Sequence, residues 1–264
     1  MDLGLTGAKV LVQGGTKGMG RAAAECFAVE GASVAVLARS QSDLDATVAR
    51  LRELGAPDAV ALRADITQLA DVESALAVLR DRWGHLNALV NAAGQATVGT
   101  IDTLTDEDWQ TAIDRSAMGM IRCVRAALPM LRAAEWARIV NVSAQSTHRQ
   151  SPRLVAYTAA KAVVTSVTKN LSLHLAKDEI LVNTVSPGSF VTASMRAWAR
   201  SVGIDADDLH AVMRGIEKHF GHPAHLPRAG DPSEIGPVIA FLASRRNSYM
   251  TGANVNVDGG SDFS

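Results

Sequence analysis

The chain has 264 residues, of which 47% are hydrophobic, 20% are charged and only 4% are aromatic. This length and composition are ordinary for a soluble globular protein, with enough residues for one large core or two small ones. The net charge of −1, from 26 basic and 27 acidic residues, excludes the strong field that recruits nucleic acid or an anionic membrane, so we expect neither partner.

The sequence offers no sign of export, membrane insertion or a structural metal. No apolar run approaches the ~20 residues that span a bilayer, and the opening residues lack a cationic segment followed by an apolar one. The two cysteines, Cys26 and Cys123, fall within predicted helices without C-x-x-C spacing. We therefore expect a cytoplasmic protein with no disulfide and no metal site.

Short β-branched segments alternate with Ala-rich helical patterns along the whole chain. The predicted strands, apolar nearly throughout, are 9–13, 33–37, 59–63, 86–91, 138–143, 181–186 and 253–257. The predicted helices are 19–30, 41–54, 67–83, 106–133, 153–178 and 233–244, with Thr67, Thr105 and Ser233 as caps and Gly31, Gly55 and Gly84 as stops. This alternation predicts a single α/β domain, 1–264, with a doubly wound, seven-stranded parallel sheet.

The first strand leads into a glycine-rich loop with Gly14, Gly18 and Gly20, followed by a helix. Such glycines allow a tight turn and close approach of a pyrophosphate, whose charge the helix N-terminus favours. A plain strand-to-helix turn is the alternative. The position of the loop favours a dinucleotide site.

The end of the second strand indicates which dinucleotide binds. A carboxylate there would bind a ribose 2′-hydroxyl, whereas this chain has Ala38, Arg39 and Ser40. An arginine, with Lys17 nearby, attracts a 2′-phosphate. The predicted cofactor is NADP(H).

Tyr157 and Lys161 lie four residues apart in an apolar helical segment and therefore share one helix face. An ammonium beside a phenol lowers the pKa of the phenol and makes it a usable acid or base. The same spacing is also common on solvated helix faces. With the glycine loop it indicates an enzyme that transfers hydride.

Together, these motifs resemble the short-chain dehydrogenase/reductase family over the whole chain, in particular the NADP-dependent 3-oxoacyl reductases. The glycine loop, 65–66, 91–94, Tyr157-x-x-x-Lys161, 187–188 and Thr192 occur in family order and spacing. The resemblance implies a Rossmann fold in which 65–66 border the adenine, 91–94 close the ribose side and 187–192 meet the carboxamide. It also implies that Lys161 holds the nicotinamide ribose and tunes Tyr157.

The resemblance assigns cofactor contacts to Gly14, Thr16, Lys17, Gly18, Met19, Arg39, Asp65, Ile66, Asn91, Ala93, Gly94, Tyr157, Lys161, Pro187, Gly188, Phe190 and Thr192. The C-terminal segment 248–260 is similar to a family strand that often lies near a subunit contact. A homotetramer or homodimer is therefore expected.

Four positions depart from the family pattern. Gln13 and Ala92 replace residues of the nucleotide loops, and both changes are expected to be tolerated. Ala144 stands where the family has the serine that orients the carbonyl, and Ser116 replaces an asparagine that anchors a water leading to the lysine.

Other hydroxyl groups are available to replace those that are lost. Since strand side chains alternate, Ser146 shares the parity of Ala144 and is the candidate replacement, with a merely structural serine as the alternative and His148 as a weaker candidate. Ser116 retains a hydroxyl that can hold a water. The predicted catalytic residues are Tyr157, Lys161, Ser146 and Ser116.

The segment 193–228 follows the sixth strand, where ligands of open parallel sheets are enclosed, and is predicted to cover the substrate. Its apolar side chains either line the pocket or simply pack its helices. His219, His222 and His225 are expected to be loop residues rather than metal ligands. The predicted substrate pocket comprises Ala144, Ser146, His148, Met195 and Trp198.

Two functions are consistent with the sequence. The first is an NADP(H)-dependent oxidoreductase that interconverts a ketone, or a 3-oxoacyl group, and a secondary alcohol, with Tyr157 as acid/base. The alternative is a catalytically weakened, cofactor-binding relative with a structural, sensing or partner role. Tyr157 and Lys161 favour the first function, whereas Ala144 and Ser116 favour the second.

Overall fold

A computed structural model describes residues 2–261 and shows a seven-stranded parallel sheet. The strands are β1 (Lys9–Gln13), β2 (Ser33–Ala38), β3 (Ala59–Arg63), β4 (Ala88–Asn91), β5 (Ala137–Val142), β6 (Ile180–Pro187) and β7 (Asn254–Val257). Their order across the sheet is β3-β2-β1-β4-β5-β6-β7. The predicted fold class is confirmed, and each predicted strand lies within two residues of the observed one.

Helices cover both faces of the sheet. They are α1 (Gly18–Val29), α2 (Gln41–Glu53), α3 (Leu69–Trp83), α4 (Asp106–Ile113), α5 (Gly119–Arg132), α6 (Val155–Leu175), α7 (Ala193–Ser201), α8 (Leu209–Phe220) and α9 (Pro232–Leu242). The predicted helix 106–133 is divided by a π-helical turn, Asp114–Met118, and the end of predicted helix 153–178 is a 3-10 turn, Ala176–Asp178.

One of the three predicted helix caps is correct. Thr105 forms a capping box with Asp108 at the start of α4. Thr67 is not a cap, because its hydroxyl donates to Asp65 at 2.9 Å and α3 begins two residues later. Ser233 is not a cap either, since the carboxylate of Asp231 accepts its backbone N–H and begins α9.

Side-chain alternation divides the core into two layers. Val10 and Val12 pack on the face covered by α1 and α9, while Leu11 packs on the opposite face with α3 and α5. Buried strands with apolar side chains on both faces explain the nearly continuous apolar segments in the sequence. The segment between β6 and α9 has a smaller core of its own, which includes Val212 and Ile216.

The strand order reverses between β1 and β4, so the chain leaves their carboxyl ends in opposite directions and opens a crevice. The two loops nearly touch there. A Cβ on Gly14 (φ +77°) would lie 2.6 Å from the backbone nitrogen of Ala93, so only glycine fits. Gln13 accepts a hydrogen bond from the same nitrogen at 3.1 Å and thereby fixes the spacing.

Within residues 2–261, no helix has the length and apolar character needed to cross a membrane. The assembly into dimers or tetramers stays a prediction.

Candidate active site

A cleft of about 670 Å³ opens at the carboxyl ends of β1 to β4. It is lined by Gln13, Gly14, Thr16, Lys17, Leu37, Ala38, Arg39, Ser40, Asp43, Ala64, Asp65, Ile66, Thr67, Ala92, Ala93, Gly94, Gln95 and Arg115. All of these residues except Arg115 come from the ends of four neighbouring strands or from the segments that follow them. The cleft therefore lies where a nucleotide binds in a doubly wound sheet.

Eight of the predicted cofactor residues line this cleft, namely Gly14, Thr16, Lys17, Arg39, Asp65, Ile66, Ala93 and Gly94. Thr192 lies at its margin, because its Cγ2 would be 3.2 Å from a Cβ on Gly18. Pro187 ends β6, and the following Gly188 contacts the backbone of Asp258.

Three predicted cofactor residues point elsewhere. The side chain of Asn91 is buried and donates to Asn141 Oδ1 at 2.8 Å, inside the sheet. Phe190 is buried and Met19 is partly buried, and both pack against the core on the α1 side. Their backbones remain near the strand ends, but their side chains serve packing.

Helix α6 brings the predicted acid/base pair together on one face. The Nζ of Lys161 lies 5.9 Å from the ring centroid of Tyr157 and donates a hydrogen bond to Val142 O at 2.8 Å. A Cβ on Gly94 would lie 2.9 Å from this Nζ and 3.8 Å from Ser116 Oγ. Lys161 and Ser116 thus meet directly beneath the end of the cleft.

The parity argument for Ser146 is wrong, because β5 ends at Val142 and residues Gln145–Thr147 form a 3-10 turn. Ser146 is nevertheless buried, and its Oγ accepts a hydrogen bond from Thr158 at 3.3 Å, one residue after Tyr157. The turn therefore places this hydroxyl against the start of α6. Ala144 is also buried.

Ser143 and His148, at the two ends of this segment, have other partners. Ser143 Oγ donates to the backbone carbonyl of Lys161 at 3.0 Å. His148 is exposed, and its Nε2 lies 2.8 Å from Asn254 Nδ2. Ser143 therefore fixes α6 to the strand.

Comparison with known proteins identifies the family. Residues 14–262 match the family model described as enoyl-(acyl carrier protein) reductase. The short-chain reductase protein NovJ of Streptomyces niveus is 32% identical over 250 residues, 95% of this chain and 92% of the relative. The chain belongs to the short-chain dehydrogenase/reductase family.

Two solved structures resemble this oxidoreductase along nearly its whole length. L-sorbose reductase from Gluconobacter frateurii, complexed with NADPH and L-sorbose, is 27% identical with a TM-score of 0.93 and full coverage (100%) of both chains. An NADPH-bound short-chain oxidoreductase from Pseudomonas aeruginosa PAO1, described as containing an atypical catalytic center, is 29% identical with a TM-score of 0.87 over 96% of each chain.

The cleft of this short-chain dehydrogenase/reductase has the features that a nicotinamide dinucleotide requires. Its floor is bare backbone at Gly14, and the first turn of α1 carries no acidic side chain, so the helix N-terminus is open to phosphate. The guanidinium groups of Arg39 and Arg115 make no hydrogen bond or salt bridge with any residue of 2–261, whereas Lys17 pairs with Asp43 at 2.7 Å.

Burial shifts the pKa values of Tyr157 and Lys161. It raises the pKa of Tyr157 to about 12 and lowers the pKa of Lys161 to about 8, because both charged forms lose hydration. The expected lowering of the tyrosine pKa by Lys161 is therefore wrong for the protein alone. Desolvation outweighs the attraction of an ammonium that already donates to Val142 O.

Two residues of the site were missed in the sequence. Arg115 lines the cleft although it belongs to the π-helical turn, far in sequence from β2 and β3. Thr158 holds Ser146, although its position next to Tyr157 gave no indication of a partner. Both roles depend on contacts between segments that are distant in the chain, and the residue pattern within a single helix or strand does not predict such contacts.

Met195 and Trp198 belong to the small core of the segment 193–228 rather than to the cleft. The Trp198 ring packs edge-on against His219, with 5.8 Å between centroids, and against Phe220 at 5.0 Å. Helix packing therefore accounts for most of these apolar side chains. A role in covering the substrate stays a prediction.

The lowered pKa of Lys161 predicts a pH-dependent stability difference from Lys161→Met. Between pH 8 and about 10.5 the unfolded chain binds more protons at this lysine than the folded chain, so its contribution to stability rises with pH. From pH 7 to pH 10, the free energy of unfolding of wild type should rise by about 2–3 kcal/mol relative to that of the variant.

Urea denaturation at both pH values measures the difference. Lys169→Met, at an exposed position of the same helix, is the matched control and should follow wild type. If the difference in unfolding free energy between Lys161→Met and wild type is the same at both pH values, the ammonium is not desolvated as described.

Proposed function

We propose that the protein is an NADP(H)-dependent oxidoreductase that interconverts a ketone, or a 3-oxoacyl group, and a secondary alcohol. The observation that carries the proposal is the convergence of Tyr157 and Lys161 with Gly94 at the end of the nucleotide cleft. A proton donor and a nucleotide site thereby share one crevice. This is the arrangement that carbonyl reduction needs.

The cofactor assignment rests on charge and on similarity. Arg39 lines the cleft directly after β2, at the place where a carboxylate would be needed to favour NAD. Its guanidinium has no salt-bridge partner in the described chain and can bind a 2′-phosphate through two N–H groups. The two similar solved structures both contain NADPH.

In the reductive direction, the Tyr157 hydroxyl donates a proton to the carbonyl oxygen. When bound, NADPH supplies the hydride to the carbonyl carbon, so the products are the alcohol and NADP⁺. A phenol whose pKa is raised to about 12 is fully protonated at neutral pH and is thus ready to act as the acid. Lys161 orients the ribose and returns a proton toward Tyr157.

The hydroxyls of Ser146 and Ser116 can replace the groups that the family has at positions 144 and 116. Ser146 is held by Thr158 next to Tyr157, so it can orient the substrate carbonyl in place of the serine that is absent at Ala144. Ser116 Oγ lies near Gly94 together with Lys161 and can bind a water that relays protons to the lysine.

The segment 193–228 follows the strand end where substrate enters, and we assign it the role of substrate cover. Its helices α7 and α8 have a core of their own and can therefore move as a unit. Because one similar structure is that of an L-sorbose reductase, L-sorbose belongs in the test panel with 3-oxoacyl thioesters, steroids and small ketones.

Cofactor choice gives the first test. NADPH should bind at least ~10-fold more tightly than NADH, equivalent to about 1.4 kcal/mol, since Arg39 contributes a charge-assisted contact to the phosphate. Calorimetric titration measures both affinities, and the decrease in absorbance at 340 nm with the ketone panel measures turnover. Equal or reversed affinities contradict the assignment.

Replacement of the acid tests the chemistry. Tyr157→Phe should lose more than about 99% of reductase activity, because the proton donor is removed, while the affinity for NADPH changes less than about twofold. Tyr249→Phe, the same substitution at a fully exposed tyrosine (97%), is the control and should keep full activity. Retained activity in Tyr157→Phe would exclude Tyr157 as the acid.

The replacement serine has its own test. Ser146→Ala should lower kcat/KM by about 10- to 100-fold if its hydroxyl orients the carbonyl. Ala144→Ser should then rescue this variant at least partly, since either hydroxyl supplies the same hydrogen bond. If Ser146→Ala is silent and Ala144→Ser alone raises the rate sharply, Ser146 is structural, and the natural protein is a slow enzyme or a cofactor-binding relative of the family.

A further inference from the structure

Arg115 is an exposed cation on the wall of the nucleotide cleft with no assigned role. It forms no hydrogen bond or salt bridge with any residue of the described chain. Arg122, one helical segment further on, is in contrast paired with Asp114 at 2.7 Å. A guanidinium left unpaired beside a ligand cleft is available to the ligand.

The wall that carries Arg115 is held rigidly against the loop after β3. Arg122 Nη1 donates to the backbone carbonyl of Ile66 at 3.2 Å. A Cβ on Gly119 would lie 2.5 Å from Ile66 Cδ1, so the start of α5, directly after the π-helical turn, approaches this loop as closely as side chains allow. The spacing between Arg115 and the 65–66 loop is therefore fixed before any ligand binds.

Arg115 and Asp65 both line the cleft, and the charge of Arg115 acts on the Asp65 carboxylate. Burial opposes ionisation of that carboxyl, but hydrogen bonds from Thr67, followed by the charges of Arg39 and Arg115, hold its pKa below the ordinary value. The charges of both guanidiniums therefore favour the ionised form of the Asp65 carboxyl.

The position of β3 indicates which part of the nucleotide reaches this region. In a doubly wound sheet the end of β2 meets the adenosine ribose, and β3 lies one strand further out. With the ribose bound at Arg39, the adenine base can reach the loop after β3, where Ala64 and Ile66 offer apolar surface and Asp65 an acceptor for an amino group. Arg115 lies beside that surface.

We propose that Arg115 binds the adenine ring through the flat face of its guanidinium and does not bind the 2′-phosphate. This assignment rests on the proposed binding of NADP(H). Arginine stacks on aromatic faces because its charge is delocalised and weakly hydrated, which lysine cannot reproduce. Arg39, which follows β2 directly, keeps the phosphate.

Calorimetric titration of Arg115→Ala with NADPH, NADH and reduced nicotinamide mononucleotide tests the proposal. We expect both dinucleotides to bind about tenfold more weakly, with an unchanged ratio of their affinities, while the mononucleotide, which lacks adenine, is unaffected. Arg39→Ala is the matched control and should weaken NADPH much more than NADH.

Arg115→Lys separates charge from shape. Its affinity for NADPH and NADH should fall nearly as much as that of Arg115→Ala, because lysine keeps the charge but has no planar face. Thermal unfolding without cofactor should not change in either variant, since Arg115 is exposed and unpaired in the described chain.

Three results would overturn the assignment. They are unchanged dinucleotide affinities in Arg115→Ala, a loss confined to NADPH, or full recovery in Arg115→Lys. If wild type binds neither dinucleotide, the proposed function fails instead, and the two failures are thus distinguishable.

Discussion

The close approach of two backbone loops, one after β1 and one after β4, is the constraint on which the site depends. Gly14 leaves room for the backbone of Ala93, and a Cβ on Gly20 would lie 2.3 Å from the carbonyl oxygen of Gly14. Gly14 thus lets the two loops approach each other, and Gly20 lets the start of α1 pack against the loop after β1. Because the loops are this close, the crevice has a backbone floor that side chains do not fill.

Gln13 shows how a departure from a family pattern is accommodated. Its side chain is almost fully buried, and its Oε1 accepts a hydrogen bond from the partly buried backbone nitrogen of Ala93, at the point where the loops meet. A hydrogen bond of this kind contributes about 0.5–1.5 kcal/mol to stability. The residue that looked like a tolerated change therefore contributes directly to the shape of the cleft.

The π-helical turn Asp114–Met118 links the two ends of the crevice. Its consecutive residues Arg115 and Ser116 point to different surroundings, the first into the nucleotide cleft and the second toward Gly94 and Lys161. π-helical turns within helices are frequent at functional sites, because the extra residue changes which side chains face inward. Here a single turn supplies both a cleft cation and a buried hydroxyl near Lys161.

The sequence by itself determined the architecture. Apolar segments that alternate with amphipathic helices predicted a parallel sheet covered by helices on both faces. The glycine loop and the pair Tyr157 and Lys161 predicted where the candidate site lies. These features are local, since strand and helix periods are set by backbone geometry within a few residues. The family resemblance followed from their order.

Tertiary structure alone decided the surroundings of those residues. It reversed the expected pKa shift of Tyr157, because desolvation depends on every segment packed around the ring. It replaced the alternation assumed for Ser146 by a 3-10 turn and turned Asn91 into the sheet. It also brought Arg115 to the cleft, because contacts between segments far apart in the chain leave no trace in local periodicity.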